Sequence, residues 1–377
     1  MSPVPAKVDV VIAGSGATGL AAALTLAEGG ATVVVFEKQR ALGGTSNFFR
    51  GTFAVESEMQ RERFIDYSRD DAFRNIMEYS HWRANAPLVR AIVDESAATI
   101  AWLKDQGVTF TGQMNTMPGA PSTYHVVEGT GEAVVKALVT QAKSKGVQIV
   151  PGTPVLALSK RGGRVAGVVV DDDGQEADVP AHAVVIATGG YANNREWLKK
   201  YTGYDLDGNL FAWGNTGKMG DGIRMAWETG AAEDGVEALE MLRVGPMGPE
   251  FAIGGNDIEV VALQPDLWVT VRGERFCDES VALCDTNSGN ANAFTGMKGR
   301  AAVEEHPLEH LRAVPAALAG LAAARGPPEP FRRKGAVVDG EGVEGRPVPG
   351  LHQVEEVAVV ATAGIRADHR QGVFSEI

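Results

Sequence analysis

Three glycines near the start of the chain have the spacing of a phosphate-binding loop. They are Gly14, Gly16 and Gly19, in the segment Gly-Ser-Gly-Ala-Thr-Gly. In such a loop the first glycine permits a tight turn, the second lets the backbone approach a pyrophosphate, and the third lets a helix pack closely on a strand. N–H groups at the start of that helix then attract the phosphates. We therefore assign this loop, with Ala17 and Thr18, to a dinucleotide.

The elements around the loop follow the order of a dinucleotide-binding βαβ unit. Residues 8–13 predict a buried strand and residues 20–28 an amphipathic helix. Residues 32–36 predict a second strand, and Glu37 follows it, where a carboxylate can accept both ribose hydroxyls of an adenosine. Because a 2′-phosphate would repel this carboxylate, the pattern disfavours NADP and leaves FAD and NAD open.

Composition excludes several classes of protein. The 377 residues include 35 Lys and Arg against 48 Asp and Glu, which gives a net charge of −13 and argues against a nucleic-acid or anionic-membrane partner. A hydrophobic fraction of 44% supports folded domains with real cores. We see no signal peptide, membrane span or metal motif, and the two cysteines lack CxxC spacing, so we expect a cytoplasmic protein with free thiols.

A second glycine-rich segment separates the two remaining dinucleotides. It contains Gly43, Gly44, Thr45 and Ser46, with Gly51 shortly after. An NAD enzyme has no need of a second glycine pair here. In a flavoprotein, a second loop passes beneath the pyrophosphate and the isoalloxazine, and small residues allow its close approach. The segment therefore favours FAD.

Further along the chain, strands with turns between them complete the pattern. Residues 154–158, which include Val155, and residues 165–170 predict two strands of a hairpin. A third strand from residue 183 ends in Ala187-Thr188-Gly189-Gly190. Each of these strands is ordinary when taken singly.

Together these motifs resemble the FAD-dependent fumarate reductase and succinate dehydrogenase flavoprotein family. The resemblance extends from about residue 7 to about residue 295 and includes further segments, namely Glu37-Lys38, Gly220-Asp221-Gly222, Trp268-Val269-Thr270 and 273–279. It implies an α/β fold, with a Rossmann-like FAD-binding domain at 1–244 and 356–377. An inserted α+β capping domain is expected at 245–355.

The resemblance also implies how the cofactor is held. Thr45-Ser46-Asn47 stand where some members carry a histidine that attaches the flavin covalently, so we expect non-covalent FAD. The residues expected to bind it come from the segments above and are Gly14, Gly16, Ala17, Thr18, Gly19, Glu37, Lys38, Gly43, Gly44, Thr45, Ser46, Gly51, Val155, Ala187, Thr188, Gly189 and Asp221.

The activity implied is hydride transfer between flavin N5 and a C–C or C=C bond of a small molecule, with an unidentified electron donor or acceptor. The arginine that relays a proton in the family is missing, since its position falls near Leu283. Ala262 replaces the arginine of a relay pair that begins at Glu259, and no substrate histidine stands near Arg243. We therefore expect something other than a typical fumarate reductase and assign no catalytic residue.

Other candidates for chemistry have ordinary structural explanations. Arg243 could hold an anion, although a surface or hinge arginine is the simpler interpretation. Tyr124 and His125 could lie near the flavin, but a lone Tyr or His is more often a satisfied polar group than an acid. In the helix predicted over 87–106, Val89, Ile92, Val93, Ile100 and Leu103 share an apolar face, which indicates packing rather than chemistry.

Three functional alternatives remain open beside the reductase. The first is a protein that binds FAD but is catalytically incompetent, and the second is an enzyme like a 3-ketosteroid dehydrogenase. The third is an NAD-dependent Rossmann enzyme, which leaves the second glycine loop and the segment 187–190 unexplained.

The last quarter of the chain differs from the rest. Residues 301–350 contain 10 Ala, 7 Gly and 7 Pro, and lack Ser, Thr, Asn, Ile, Tyr and Trp. The segments 335–339 and 363–369 both resemble one strand of the family's final part, and the closing glycine-rich helix is missing. We expect a truncated or frame-disrupted family member; a divergent, shortened cap with a genuine short terminus is the open alternative.

Overall fold

The structure is a computed structural model, and it describes residues 4–114, 121–206, 217–237, 365–367 and 374–376. The strands in chain order are β1 (Val8–Ala13), β2 (Val33–Glu37), β3 (Gly51–Phe53), β4 (Phe110–Met114), β5 (Tyr124–Val127), β6 (Gln148–Pro151), β7 (Val155–Arg161), β8 (Arg164–Asp172), β9 (Gln175–Ile186), β10 (Ile365–Ala367) and β11 (Phe374–Glu376). The helices are α1 (Ala17–Glu28), α2 (Glu58–Glu62), α3 (Arg69–Tyr79), α4 (Ala86–Asp105), α5 (Thr130–Ser144), α6 (Arg195–Thr202) and α7 (Asp221–Glu228), and a 3-10 turn spans Gly44–Asn47.

A six-stranded sheet in the order β6-β2-β1-β9-β8-β7 organises the cofactor half. Strands β6, β2, β1 and β9 run parallel, and β7 and β8 extend the sheet as an antiparallel hairpin. All five residues of β2 are buried because both faces of the sheet are covered. Val11, Val34 and Phe36 pack into one core cluster, whereas Ile12 and Val35 pack into another.

A three-stranded antiparallel sheet in the order β3-β5-β4 forms a second region, together with α2, α3 and α4. Val55, Ala72 and Val93 form a small core there, and Val89 packs against it. Helix α4 begins after Asn85, whose side chain accepts the Leu88 N–H as an N-cap. This region therefore has a small apolar centre of its own, and its Leu103 and Val127 also share a core cluster with Leu20 and Leu24 of α1.

Several elements differ from their predicted bounds. Helix α1 begins at Ala17 rather than at residue 20, because Gly16 is its N-cap and the rest of the glycine loop forms the first turn. Strand β9 begins at Gln175, well before residue 183, since its first half pairs with β8. The predicted apolar face of α4 is wrong at Ile92, which is 54% exposed because it lies at the edge of the buried stripe.

The described part of the final segment is a short ribbon. Strands β10 and β11 pair antiparallel, with Ile365 opposite Glu376. The segment 363–369 thus contains a strand, as its sequence suggests, while 335–339 lies outside the described residues. The predicted domain boundaries near 244 and 355 lie outside them as well.

Among the described residues, no helix combines the length and apolar character needed to cross a bilayer. Within the same ranges, His, Cys, Asp and Glu side chains form no group of three or more that could hold a metal ion.

Candidate cofactor site

The loop that follows β1 lies directly against the end of β9. Gly14 has a φ of +105°, and a Cβ at this position would lie 2.3 Å from the Ala187 carbonyl oxygen. The Ala187 N–H also donates to the Ala13 carbonyl oxygen at 2.8 Å. A side chain at position 14 is thus excluded both by backbone conformation and by space, which confirms the turn predicted for Gly14.

The third glycine of the motif brings helix α1 onto this loop. A Cβ at Gly19 would lie 2.1 Å from the Gly14 carbonyl oxygen. Real Cβ atoms do not approach a backbone oxygen this closely, so any larger residue would push the helix away from the strand end. The close packing predicted for Gly19 is therefore confirmed.

Gly16 differs from its two neighbours in the motif. Its φ of −64° is open to any residue, and a Cβ there would lie 3.4 Å from Ser46 Oγ and 3.8 Å from the Gly43 carbonyl oxygen. Neither the backbone nor the described protein atoms therefore require a glycine here. A ligand that approaches the backbone closely would require one, and this fits a pyrophosphate at the start of α1.

The Glu37 carboxylate is held at the end of β2 by three backbone and side-chain donors. Its Oε2 accepts the Ser15 N–H at 3.0 Å and the Ser15 hydroxyl at 2.8 Å. Its Oε1 accepts the Gln39 N–H at 2.9 Å. Glu37 is only 9% exposed, so these bonds compensate for its burial and fix the direction of the carboxylate.

Hydrogen bonds join the second glycine-rich segment to the first. The Gly43 N–H donates to Ser15 Oγ at 3.0 Å, and the Ala17 N–H donates to Ser46 Oγ at 3.0 Å. Gly43 and Gly44 both have a left-handed φ, of +100° and +50°, as the turn that includes Thr45 requires. The two loops that the sequence assigns to one cofactor are thus in contact.

The start of helix α5 packs against this second loop. A Cβ at Gly131 would lie 1.9 Å from the Ser46 carbonyl oxygen, and the Gly131 N–H donates to the Phe49 carbonyl oxygen at 2.7 Å. Gly131 was missing from the predicted site. No sequence pattern around Gly131 indicates that another loop packs on it.

The segment after β9 meets helix α7. Thr188 Oγ1 accepts the Gly222 N–H at 3.1 Å, and Gly189 has a φ of +75°. Asp221, the first residue of α7, forms an ion pair with Lys38 through Oδ2 and Nζ at 2.6 Å. Lys38 also donates to the Gly217 carbonyl oxygen. The structure thus brings together Lys38, Asp221 and Thr188, three of the predicted cofactor residues.

Gly51 and Val155, two of the predicted cofactor residues, belong to strands beside the glycine loops. Gly51 belongs to β3, and a Cβ there would lie 2.5 Å from the His125 carbonyl oxygen, so strand packing already explains the glycine. Val155 is half-buried at the start of β7, opposite Val170. Just before it, the Thr153 N–H donates to the Glu37 carbonyl oxygen at 2.9 Å, which places this segment beside the end of β2.

His125 is fully buried in the three-stranded sheet and is satisfied within the protein. Its Nδ1 lies 2.9 Å from the Thr123 carbonyl oxygen and its Nε2 lies 2.8 Å from Ser57 Oγ. Because a carbonyl can only accept, we place the ring proton on Nδ1, so that Nε2 accepts from the Ser57 hydroxyl. Desolvation lowers the pKa of His125 below its usual value of 6.5, which favours the neutral ring.

The residues discussed as candidates for proton relay and substrate binding lie outside the described part of the chain. They are Arg243, Glu259, Ala262 and Leu283. Within the described residues, the sequence missed Ser15, which lies between two predicted glycines and contacts both Glu37 and Gly43. The hydroxyl of a serine between two glycines was the available clue.

Known proteins are similar to this chain in sequence. Residues 9–281 match the FAD binding domain family. Vinyl phenol reductase of Lactiplantibacillus plantarum is 38% identical over 292 residues, which cover 75% of this chain and 59% of that protein. NADH:fumarate oxidoreductase of Klebsiella pneumoniae is 31% identical over 236 residues, covering 60% of this chain and 25% of that protein. The chain thus spans less than two thirds of either relative.

A solved structure supports the fold. The 3-ketosteroid-delta4-(5alpha)-dehydrogenase of Rhodococcus jostii RHA1 superposes with a TM-score of 0.64 at 24% identity, over 78% of this chain and 65% of that one. At this identity the likeness concerns architecture alone. With the family match over most of the chain and the glycine loops in contact around Glu37, the protein belongs to the FAD-binding flavoprotein family of the fumarate reductases and succinate dehydrogenases.

Proposed function

We propose that this chain binds FAD non-covalently and uses it to reduce a carbon–carbon double bond of a small conjugated molecule. The observation that carries the proposal is that three stretches of the chain, namely 14–19, 37–46 and the end of β9 at Ala187, meet at one edge of the sheet. The loop after β1 contacts Ala187 at the end of β9, and Ser15 links it to both Glu37 and Gly43. These segments are far apart in the chain and share a requirement for small residues or for a fixed carboxylate.

The described residues suggest how FAD would be oriented. The pyrophosphate would lie over Gly16 at the start of α1, where the protein leaves room for a backbone approach. Glu37 would receive the adenosine ribose, and the turn from Gly44 to Asn47 would run along the pyrophosphate. Asn47 serves its own loop, since its Nδ2 donates to the Leu42 carbonyl oxygen at 2.9 Å. When bound, FAD supplies two-electron hydride chemistry at N5.

The substrate class follows from the vinyl phenol reductase, whose name describes reduction of a phenol-conjugated vinyl group. We propose a similar alkene for this chain, with electrons from an unidentified donor. A capping domain at 245–355, inserted into a flavin domain at 1–244 and 356–377, would cover the substrate. The absence of an arginine near Leu283 supports an alternative, a family member that binds FAD but does not turn over.

The test is to purify the full chain, record its visible spectrum and follow reoxidation of the reduced flavin by candidate acceptors without oxygen. We expect a yellow protein that releases its flavin on acid denaturation and is reoxidised by 4-vinylphenol faster than free reduced FAD is. Reoxidation by 4-androstene-3,17-dione instead would support the ketosteroid-dehydrogenase alternative. No reoxidation by any acceptor would support the inactive alternative, and a colourless protein that takes up no added FAD would overturn the whole proposal.

A further inference from the structure

Ser15 occupies the centre of the contacts between the two glycine loops and the buried acid. It is fully buried. Its backbone N–H and its hydroxyl both bond to Glu37 Oε2, at 3.0 and 2.8 Å, and its Oγ lies 3.0 Å from the Gly43 nitrogen. One side chain therefore links the loop after β1, the end of β2 and the second loop.

The direction of these hydrogen bonds follows from proton counting. A backbone N–H can only donate, so Ser15 Oγ must accept from Gly43. The single hydroxyl proton of Ser15 is then directed to Glu37 Oε2, which accepts it as a carboxylate oxygen. The second glycine loop and the acid thus fix the hydroxyl orientation together, and the hydroxyl in turn fixes the carboxylate.

The same count limits what Glu37 can offer to a ligand. An ionised carboxylate has about four acceptor positions. Ser15 occupies two on Oε2 and the Gln39 N–H occupies one on Oε1. With the donors of the described residues counted, a single position on Oε1 remains, whereas the sequence pattern alone predicts that Glu37 accepts both ribose hydroxyls.

We propose that Ser15 is a positioning residue for the adenosine half of FAD. It occupies both acceptor positions of Glu37 Oε2 and so orients the remaining acceptor position of Oε1 toward one ribose hydroxyl. Its hydrogen bond with Gly43 links this orientation to the second glycine loop. The inference rests on the proposed placement of adenosine at Glu37. Ser15 lies outside the predicted set of cofactor residues, and with Ser15 in place Glu37 would accept from one ribose hydroxyl rather than from two.

A first experiment uses Ser15→Ala with two probes, ADP for the adenosine half and FMN for the flavin half, each titrated against the full chain freed of flavin. We expect FAD and ADP to bind about tenfold more weakly, about 1.4 kcal/mol, with FMN affinity unchanged. Added to Glu37→Gln, the Ser15 change should cause no further loss, because Ser15 acts through Glu37. Unchanged ADP affinity, or an equal loss for FMN, would overturn the proposal.

Ser96→Ala is the matched control. Ser96 is also a buried serine that accepts one backbone N–H, from Val55 at 3.1 Å, and donates to one acceptor, the Val93 carbonyl oxygen at 2.8 Å. It lies in α4, away from the glycine loops, so the variant should lower stability without changing ADP affinity. If Ser96→Ala weakens ADP as much as Ser15→Ala does, the Ser15 effect is general destabilisation and the proposal fails.

A second experiment needs no variant and compares ADP with 2′-deoxy-ADP and 3′-deoxy-ADP on the wild-type chain. One remaining acceptor position predicts that one of the two analogues binds about tenfold more weakly and that the other binds like ADP. An equal loss for both analogues, or for neither, contradicts the proposal. If the wild-type chain binds neither FAD nor ADP, the proposed function fails, an outcome distinct from normal binding without hydroxyl preference.

Discussion

The six-stranded and three-stranded sheets both contain buried polar side chains, but their hydrogen-bonding states differ. In the three-stranded sheet, both ring nitrogens of His125 have partners, and in the adjoining helix α2 Ser57 and Gln60 bond reciprocally as a capping box. At the edge of the six-stranded sheet, Glu37 retains an acceptor position after its protein donors are counted. The closed network serves the scaffold, whereas the open one is suited to a ligand.

Glycines differ in a similar way, according to whether the surrounding protein atoms require a small residue at that position. Gly51 in the three-stranded sheet and Gly19 in the cofactor half are both explained by nearby protein backbone. Gly16 is explained by neither its φ nor its described neighbours. Where the protein itself gives no reason for a small residue, a bound molecule becomes the simplest reason.

The strongest test of this contrast is Gly19→Ala. Alanine would ordinarily favour a helix, but here its Cβ would lie 2.1 Å from the Gly14 carbonyl oxygen. We expect the free energy of unfolding to fall by at least about 3 kcal/mol, measured by denaturant titration of the flavin-free chain. Gly190→Ala is the control, since no atom lies within 4 Å of its Cβ position, and it should change stability by less than about 0.5 kcal/mol. Equal losses of stability in the two variants would contradict the explanation that Gly19 is required for close packing of α1 on the loop.

Gly16→Ala should separate folding from binding. Because its Cβ meets only ordinary contacts in the protein, we expect the stability of the flavin-free chain to stay within about 0.5 kcal/mol of wild type. FAD affinity should fall at least about a hundredfold, about 2.8 kcal/mol, because the methyl group enters the space assigned to the pyrophosphate. Flavin fluorescence titration measures this, and wild-type affinity in the variant would refute the assignment.

The smallest expected effect is a pH dependence from the closed network. Desolvation holds the pKa of His125 below its usual 6.5, so below about pH 6.5 the unfolded chain binds more protons at this residue than the folded chain does. The free energy of unfolding should therefore fall as pH decreases from about 6.5 toward the lower folded pKa. For one proton the slope is at most about 1.4 kcal/mol per pH unit.

Denaturant titrations between about pH 5 and 8 measure this slope. His125→Gln, which cannot titrate, should lower stability overall and remove its share of the slope. His81→Gln, which removes an exposed histidine, serves as the comparison variant. The affinity of His125→Gln for FAD should match that of wild type. A large loss of affinity would contradict the conclusion that the hydrogen bonds of His125 serve the scaffold alone.

The βαβ unit was predictable from local patterns, because strands β1 and β2 are continuous apolar runs and the glycine spacing marks the turn between β1 and α1. The close approach of Gly14 to Ala187 could not be predicted from the sequence, because it depends on the pairing of β9 with β1 in the sheet. Glu37 was identified by position, but its remaining acceptor capacity depends on Ser15 and Gln39, whose hydrogen bonds no sequence pattern records. Ile92 was misjudged because helical periodicity does not locate the edge of a buried stripe.

The pairing of β1 with β9 also bears on the order in which the site is assembled. Val8 lies opposite Ala181, so β1 acquires this neighbour only after the residues between the two strands have been synthesised. Contacts between residues distant in the chain are slow to form. We therefore expect the glycine loop to gain its contact with Ala187 later than its contact with Phe36 of β2.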